Sequence, residues 1–259
     1  MPIALKDIII QMESLAPKEK ACDWDNIGLL VGDPMKNIHK LLIALEVDIS
    51  VAAEAMQLGC DLIITHHPLL FKPLKRVVNG DYVSDVLTQL IKNDIACYAA
   101  HTNLDNAALG VNYRLATALG LENISPLAEQ DNNNPCFIGD LDTPCGWQEL
   151  IEIVKESLGI TFVKAVPQYG FFKKIAVCGG AGMDFWQIAK DAGADCLISS
   201  DSSYHQGIEA AHAGMALIDA GHYYTERLVL ISIVENLQSK FNDLEIFASK
   251  IKTNPWSVF

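Results

Sequence analysis

The sequence predicts an α/β protein of two lobes, with mostly parallel sheets flanked by helices. Three observations carry this: near-continuous apolar runs of strand length, amphipathic stretches of helical length alternating with them, and one polar, Asn-rich, Pro-marked break (AEQDNNNPCF, 128–137). Strands apolar on both faces need cover on both sides, which parallel sheets receive from their helices, and regular alternation of the two segment types is the α/β pattern. At 259 residues the chain suffices for one large core or two smaller ones, at about 100–200 residues per domain. The polar break fits a linker or crossing loop. It places the first lobe at residues 1–127 and 220–259 and the second at 128–219.

Taken in order, helical spacing first appears at 4–15. KLLIALEV (40–47) then reads as a buried strand, followed by a helix at 49–59, the strand DLIIT (61–65), a helix at 82–93 and the strand IACYAA (95–100). A helix is expected at 107–119. Beyond the break come a helix at 147–158, the strand KIAVC (174–178), a helix at 183–192, the strand DCLIS (195–199), a helix at 204–213, the strand MALID (215–219) and a helix at 223–238. Residues 53–67 and 189–205 share one grammar of helix, Gly, Asp, apolar strand and a polar cluster ending in His. This is compatible with duplication of a lobe or with convergence of two α/β units.

Half of the residues are hydrophobic and a fifth charged, which excludes disordered and collagen-like classes. The net charge of −13 repels phosphate backbones, so nucleic acid is not expected as a partner and a nucleotide would need a local cationic site. Divalent ions can supply one. Seven scattered cysteines without a CxxC pair read as small buried hydrophobes of a reduced, cytoplasmic protein. The N-terminal stretch has no basic region ahead of an apolar one, and no apolar run approaches the ~20 residues of a membrane span, so neither export nor membrane insertion is expected.

Four of the seven histidines fall in three short segments at predicted strand ends, where α/β proteins assemble sites. Thr65-His66-His67-Pro68 follows DLIIT. A bend there, helped by Pro68, can aim both imidazoles into one pocket, each on its own metal ion; a pair of solvated histidines at a turn is the plain alternative. In His101-Thr102-Asn103-Leu104-Asp105, Asp105 can bridge two ions or cap the helix near Ala107, and His101 can be a ligand, a supporting partner or an acid/base. His222 and Glu226 lie four apart after a strand and Gly221, hence on one helix face, and can converge on a metal cluster. These imidazoles and carboxylates suit Zn, Fe, Mn, Co or Ni better than Ca or Mg, and better than a structural Zn site built on thiolates.

Other features read more plainly. GGAGMD (179–184) lacks the spacing and lysine of a phosphate-binding loop and fits a tight strand-to-helix turn. Asp201 and His205, in SSDSSYH, are candidates to line the site from the second lobe, with helix capping as the alternative.

At these residues the sequence resembles the Nif-three-like family, whose members carry the name GTP cyclohydrolase I type 2 homologue. The resemblance rests on WDNIGLLVGD (24–33), GCDLIITHHPLLFKP (59–73), HTNLDNAALGVNYRLA (101–116), KIAVCGGAG (174–182), SSDSSYHQGIEA (199–210) and IDAGHYYTE (218–226). It implies a two-lobed α/β fold with a dinuclear metal site in the cleft, held by His66, His67, Asp105, His222 and Glu226, and assembly into a toroidal homohexamer. The span from Asp105 to Gly179 is too short for the inserted domain of longer members, which implies the compact form. Glu46 stands where the family usually has Asp, and Ser199-Ser200-Asp201 where it often has T-G-D or T-G-E.

The expected function is therefore metal-dependent hydrolysis of a nucleotide or related small molecule. Two divalent transition-metal ions would be the cofactors, with His101 or His205 as catalytic proton shuttle. The family name implies water addition at C8 of a guanine nucleotide and opening of its imidazole ring, with Lys72, Lys75 and Arg76 the cations at hand for phosphates. Phosphoester hydrolysis and a non-catalytic metal-binding ring or adaptor are the alternatives.

Overall fold

A computed structural model describes residues 2–128, 131 and 133–258. It divides the chain into two compact units, Met1–Ala107 with Leu230–Phe259, and Ala108–Val229.

The first unit opens with β1 (Ile3–Ala4) and α1 (Leu5–Leu15), whose buried Leu5, Ile8, Met12 and Leu15 follow helical spacing. There follow β2 (Gly28–Val31), β3 (Asn37–Ile38), β4 (Lys40–Ala44), α2 (Ile49–Leu58), β5 (Leu62–Thr65), α3 (Tyr82–Lys92), β6 (Ala96–Ala99) and α4 (Thr102–Asp105). β4, β5 and β6 pair in parallel, and β2 closes one edge antiparallel to β6. Every residue of β5 and β6 is buried, which is why these strands read as unbroken apolar runs. The turns between strands and helices have local causes. Asp48 accepts the backbone N–H of Val51 to start α2, Asp81 that of Ser84 to start α3, and Gly59 ends α2 in the left-handed conformation.

The second unit contains α5 (Val111–Ala118), β7 (Leu121–Pro126), β8 (Phe137–Gly146), α6 (Trp147–Leu158), β9 (Lys164–Val166), β10 (Phe171–Val177), α7 (Trp186–Asp191), β11 (Cys196–Ser199), α8 (Tyr204–Ala213), β12 (Ala216–Asp219) and α9 (His222–Glu226). Its sheet runs β7-β8-β10-β11-β12-β9, with β10, β11 and β12 parallel and the outer pairs antiparallel. Strand alternation feeds two cores. Ile175, Val177, Ile198 and Ile218 pack with Leu150, Val154 and Leu158 of α6, whereas Ala176, Leu197 and Leu217 pack with Trp186, Ala189 and Ala210 of α7 and α8. The chain then returns to the first unit as α10 (Val229–Lys240) and β13 (Glu245–Ala248), and β13 pairs in parallel with β4.

All six expected strands are present, as the central strands of the two sheets. The expected boundaries at 127/128 and 219/220 instead fall at 107/108 and 229/230, because β7 hydrogen-bonds to β8 and carries α5 with it. The polar segment 128–137 consequently connects β7 to β8 within one unit, closed by Leu127 N–H donating to Cys136 O (2.7 Å); its Glu129, Gln130 and Asn132 lie outside the described residues. The helix expected at 107–119 is shorter, with α5 beginning after Gly110, and that expected at 223–238 is split into α9 and α10.

Candidate metal centre

In the first unit the end of β5 is turned by backbone hydrogen bonds to the residue after β4. Leu45 O accepts from both His66 N–H (3.1 Å) and His67 N–H (2.9 Å), and Thr65 Oγ1 donates to His67 O (2.8 Å). Both N–H groups converge on one oxygen, so the strand cannot continue and its two imidazoles swing together, with ring centroids 4.8 Å apart. Ala100 N–H donates to Thr65 O (3.0 Å), tying in the end of β6 and bringing His101 within 5.2 Å of His66 and 5.5 Å of His67, centroid to centroid. His66, His67 and His101 offer ligand atoms that all lie within 4.8 Å of one another.

The outward nitrogens of these rings are anchored. His66 Nδ1 lies 2.9 Å from Ala100 O, His67 Nδ1 3.2 Å from Glu46 Oε1, and His101 Nδ1 2.9 Å from Asp25 Oδ1. A carbonyl can only accept, so His66 carries its proton on Nδ1 and presents Nε2 as a donor atom for a metal; the two carboxylates favour the same tautomer. His66 Nε2 faces Asp105 Oδ1 at 3.6 Å. Asp105 is the last residue of α4, and α5 is preceded by Gly110 with no side-chain cap, so the capping role open in the sequence is not the one it plays.

Asp25 is the centre of a small buried network. Its Oδ2 accepts from Thr102 N–H (3.0 Å) and Thr102 Oγ1 (2.6 Å) while Oδ1 faces His101. Burial works to raise its pKa, but the hydrogen bonds and the charge of His101 outweigh it and hold the carboxyl at about 2. Asn103 supports the same turn, accepting from His101 N–H (2.9 Å) and donating to Ala16 O (2.7 Å).

In the second unit, α9 places His222 Nε2 3.1 Å from Glu226 Oε1. Asp201 Oδ2 lies 2.8 Å from His222 Nδ1, the same anchoring seen in the first unit. Asp201 achieves this from a left-handed backbone (φ 58°), a conformation that Asp tolerates better than most residues. The glycine turn after β10 packs directly on this pair: Gly180 has φ +64°, and a Cβ there would fall 2.1 Å from Glu226 Oε1. Gly180 N–H donates to Thr225 Oγ1 (3.0 Å), and its carbonyl accepts from Ser200 Oγ (2.5 Å) and Ser199 Oγ (3.2 Å). The two serines that depart from the family pattern thus hold the turn against Glu226. His205 is exposed on the first turn of α8, with its ring edge-on to Tyr204.

The donor set fits divalent transition metals. Each unit presents imidazole nitrogen and carboxylate oxygen, the His66 ring is locked in a ligating tautomer, and Glu226 is almost fully buried. The structure therefore holds histidine and carboxylate groups able to bind metal ions. Sequence reasoning reached His66, His67, His101, Asp105, His222 and Glu226 from their places at strand ends. It did not reach Asp25 or the anchoring role of Glu46, since no local pattern ties an acid at 25 to an imidazole at 101.

The sequence matches the Duf34/NIF3 (NGG1p interacting factor 3) family over residues 3–255. The chain belongs to the Duf34/NIF3 family. Among its Duf34/NIF3 relatives, a GTP cyclohydrolase 1 type 2 homolog of Clostridium perfringens is 35% identical over 97% of this chain and 98% of that protein. A protein of the same name from Methanocaldococcus jannaschii is 39% identical over 94% and 98% respectively. The crystal structure of a Bacillus cereus protein related to NIF3 superposes with a TM-score of 0.93 at 27% identity, covering 100% of this chain and 99% of that one. Among the described residues, no helix of this Duf34/NIF3 protein is long and apolar enough to cross a membrane.

Proposed function

We propose that this protein is a metal-dependent hydrolase of a nucleotide or related small molecule, with His66, His67, Asp105, His222 and Glu226 as the ligands of one dinuclear centre. The observation that carries the reading is the convergence of three imidazoles at the ends of β5 and β6, with His66 and His67 anchored through Nδ1 and facing inward through Nε2. Glycosidase-like or acyl-transfer chemistry would call for other arrangements. Two divalent ions, when bound, supply Lewis acidity and a water of lowered pKa.

The chain's own residues do the rest. His101, its Nδ1 held by Asp25, keeps Nε2 as the proton-accepting atom next to the histidine pair and serves as the proton shuttle. Asp25, kept ionised by the hydrogen bonds from Thr102, holds the His101 ring in orientation while it acts. His205, exposed on α8, is the alternative candidate for the shuttle.

The relatives' name, GTP cyclohydrolase 1 type 2 homolog, supports a guanine nucleotide as substrate, with water adding at C8 and the five-membered ring opening. The resemblance also supports assembly as a homohexamer. Purified protein reloaded with Zn, Mn or Fe is expected to bind about two ions per chain and to turn over GTP. Assayed beside a phosphoester panel, protein that binds two ions but leaves every substrate intact would rule out hydrolysis and favour a metal-binding adaptor. Hydrolysis of phosphoesters alone would correct the substrate. A monomer in sedimentation would remove the hexamer.

A further inference from the structure

Next to His101, the first unit carries an aromatic feature that metal binding does not use. Trp24 and Phe71 remain 59% and 48% exposed, although large aromatic side chains gain much from burial. They meet at 5.8 Å between centroids, 68° apart, and each also meets His101, at 6.1 Å and 6.2 Å. With the loop after β5 they line a cavity of about 410 Å³, together with Asn26, Lys72 and Leu74. That volume lies within the ~300–1,000 Å³ of small-molecule sites.

We propose that Trp24 and Phe71 form a stacking shelf for the planar heteroaromatic ring of the substrate, with Lys72 meeting the anionic group attached to it. The proposal deepens the hydrolase reading and rests on it. Three features point to one ligand chemistry. Because the two rings stand 68° apart, a flat ring that stacks on the face of Trp24 meets Phe71 edge-on, and both arrangements hold an aromatic ring with little regard for its hydrogen-bonding edge. Lys72, followed by Lys75 and Arg76 in FKPLKR, puts cationic charge at this cavity in a chain of net charge −13, complementary to a phosphate. Both aromatic rings contact His101, which in turn contacts His66 and His67, so a ring seated on the shelf lies beside the candidate proton shuttle. Asn26 donates through Nδ2 to Leu70 O (2.6 Å) and so holds the loop that carries Phe71.

The test is binding, not turnover, with GMP as probe and ribose 5-phosphate as its ring-free counterpart, on the protein as purified. Isothermal titration calorimetry is expected to show GMP binding at least about tenfold more tightly than ribose 5-phosphate, a stacking contribution of ordinary size. Trp24→Ala should lose about that factor for GMP while leaving ribose 5-phosphate unchanged, and Phe71→Ala should weaken GMP in the same direction. Trp24→Phe keeps a π-face and should stay within about threefold of the parent. Because both residues are half exposed, neither truncation should unfold the chain, and circular dichroism checks this. Equal binding of the two probes, or GMP binding by Trp24→Ala equal to the parent's, would overturn the shelf. A change in sedimentation on Trp24→Ala with GMP binding intact would overturn it as well and assign the pair to a protein contact. Absence of any hydrolysis would leave these binding results standing, and loss of the shelf would leave hydrolysis of ring-free phosphoesters untouched, so the two readings fail separately.

Discussion

At the scale of single residues, the site is defined as much by what holds the imidazoles as by the imidazoles themselves. Glu46 illustrates this: Oε1 anchors His67 Nδ1 and Oε2 accepts from Thr253 Oγ1, so the longer side chain found here in place of the family's usual Asp still reaches the ring. Glu46→Gln keeps an acceptor but removes the charge, and is expected to weaken metal binding by about 10–100-fold, read by competition with a chelator; unchanged affinity would deny Glu46 an anchoring role. Asp25 makes a second prediction, on pH. Its folded-state pKa of about 2 lies below the ordinary 3.8, so the stability it contributes is present above about pH 4 and lost as pH falls towards 2. The shift corresponds to roughly 2 kcal/mol at most. Asp25→Asn should therefore lower the Tm at pH 7 and converge on the parent as pH falls to about 2 and below, and a Tm difference that stays constant between pH 7 and 2 would show that the charge is not what stabilises.

At the scale of elements, the legible parts were those with one dominant physical cause. β4, β5, β6, β10, β11 and β12 lie within their sheets and must be apolar on both faces, so each appears as an uninterrupted run. The missed strands are edges, short pieces or, in β8, an interior strand with register shifts against both neighbours. β7 (LENISP) and β8 (FIGDLDTPCG) carry charges, Gly and Pro that an edge or irregular strand tolerates, and β9 is three residues long. Their antiparallel pairing makes the second sheet mixed, something apolar runs cannot announce because the pairing is set at a distance. The glycine turn after β10 was legible as a turn but not as a wall of the site. Gly180→Ala places a Cβ against Glu226 Oε1 at a left-handed position, and is expected to cost about 1–3 kcal/mol and to weaken metal binding by displacing the carboxylate. Gly214→Ala is the control: φ is +72° but nothing lies within 4 Å of the new Cβ. It should cost about 1–2 kcal/mol and leave metal binding alone. Equal metal affinity in both variants would separate the Gly180 turn from the site.

At the scale of the whole molecule, the proposed ligands are divided between the two units, with His66, His67 and Asp105 in one and His222 and Glu226 in the other. A single dinuclear centre and two independent mononuclear sites then make different predictions for paired substitutions. Asp105→Asn and Glu226→Gln each keep size and remove one charge. If the five ligands serve one centre, each substitution alone should reduce bound metal well below two ions per chain, and the double variant should be little worse than the poorer single, because partners in one network are not additive. If the sites are independent, each single variant should retain the other unit's ion at parental affinity, and the losses should add. Thermal stability gives a second readout, since bound metal stabilises the folded chain by an amount that grows with its excess over Kd, about 2.7 kcal/mol at a hundredfold excess. Metal-free parent and variants must be compared first, because removing a buried carboxylate charge changes the metal-free fold as well. The metal-dependent rise in Tm is then expected to collapse in both single variants. Its survival in either one, together with one retained ion by elemental analysis, would refute the dinuclear centre.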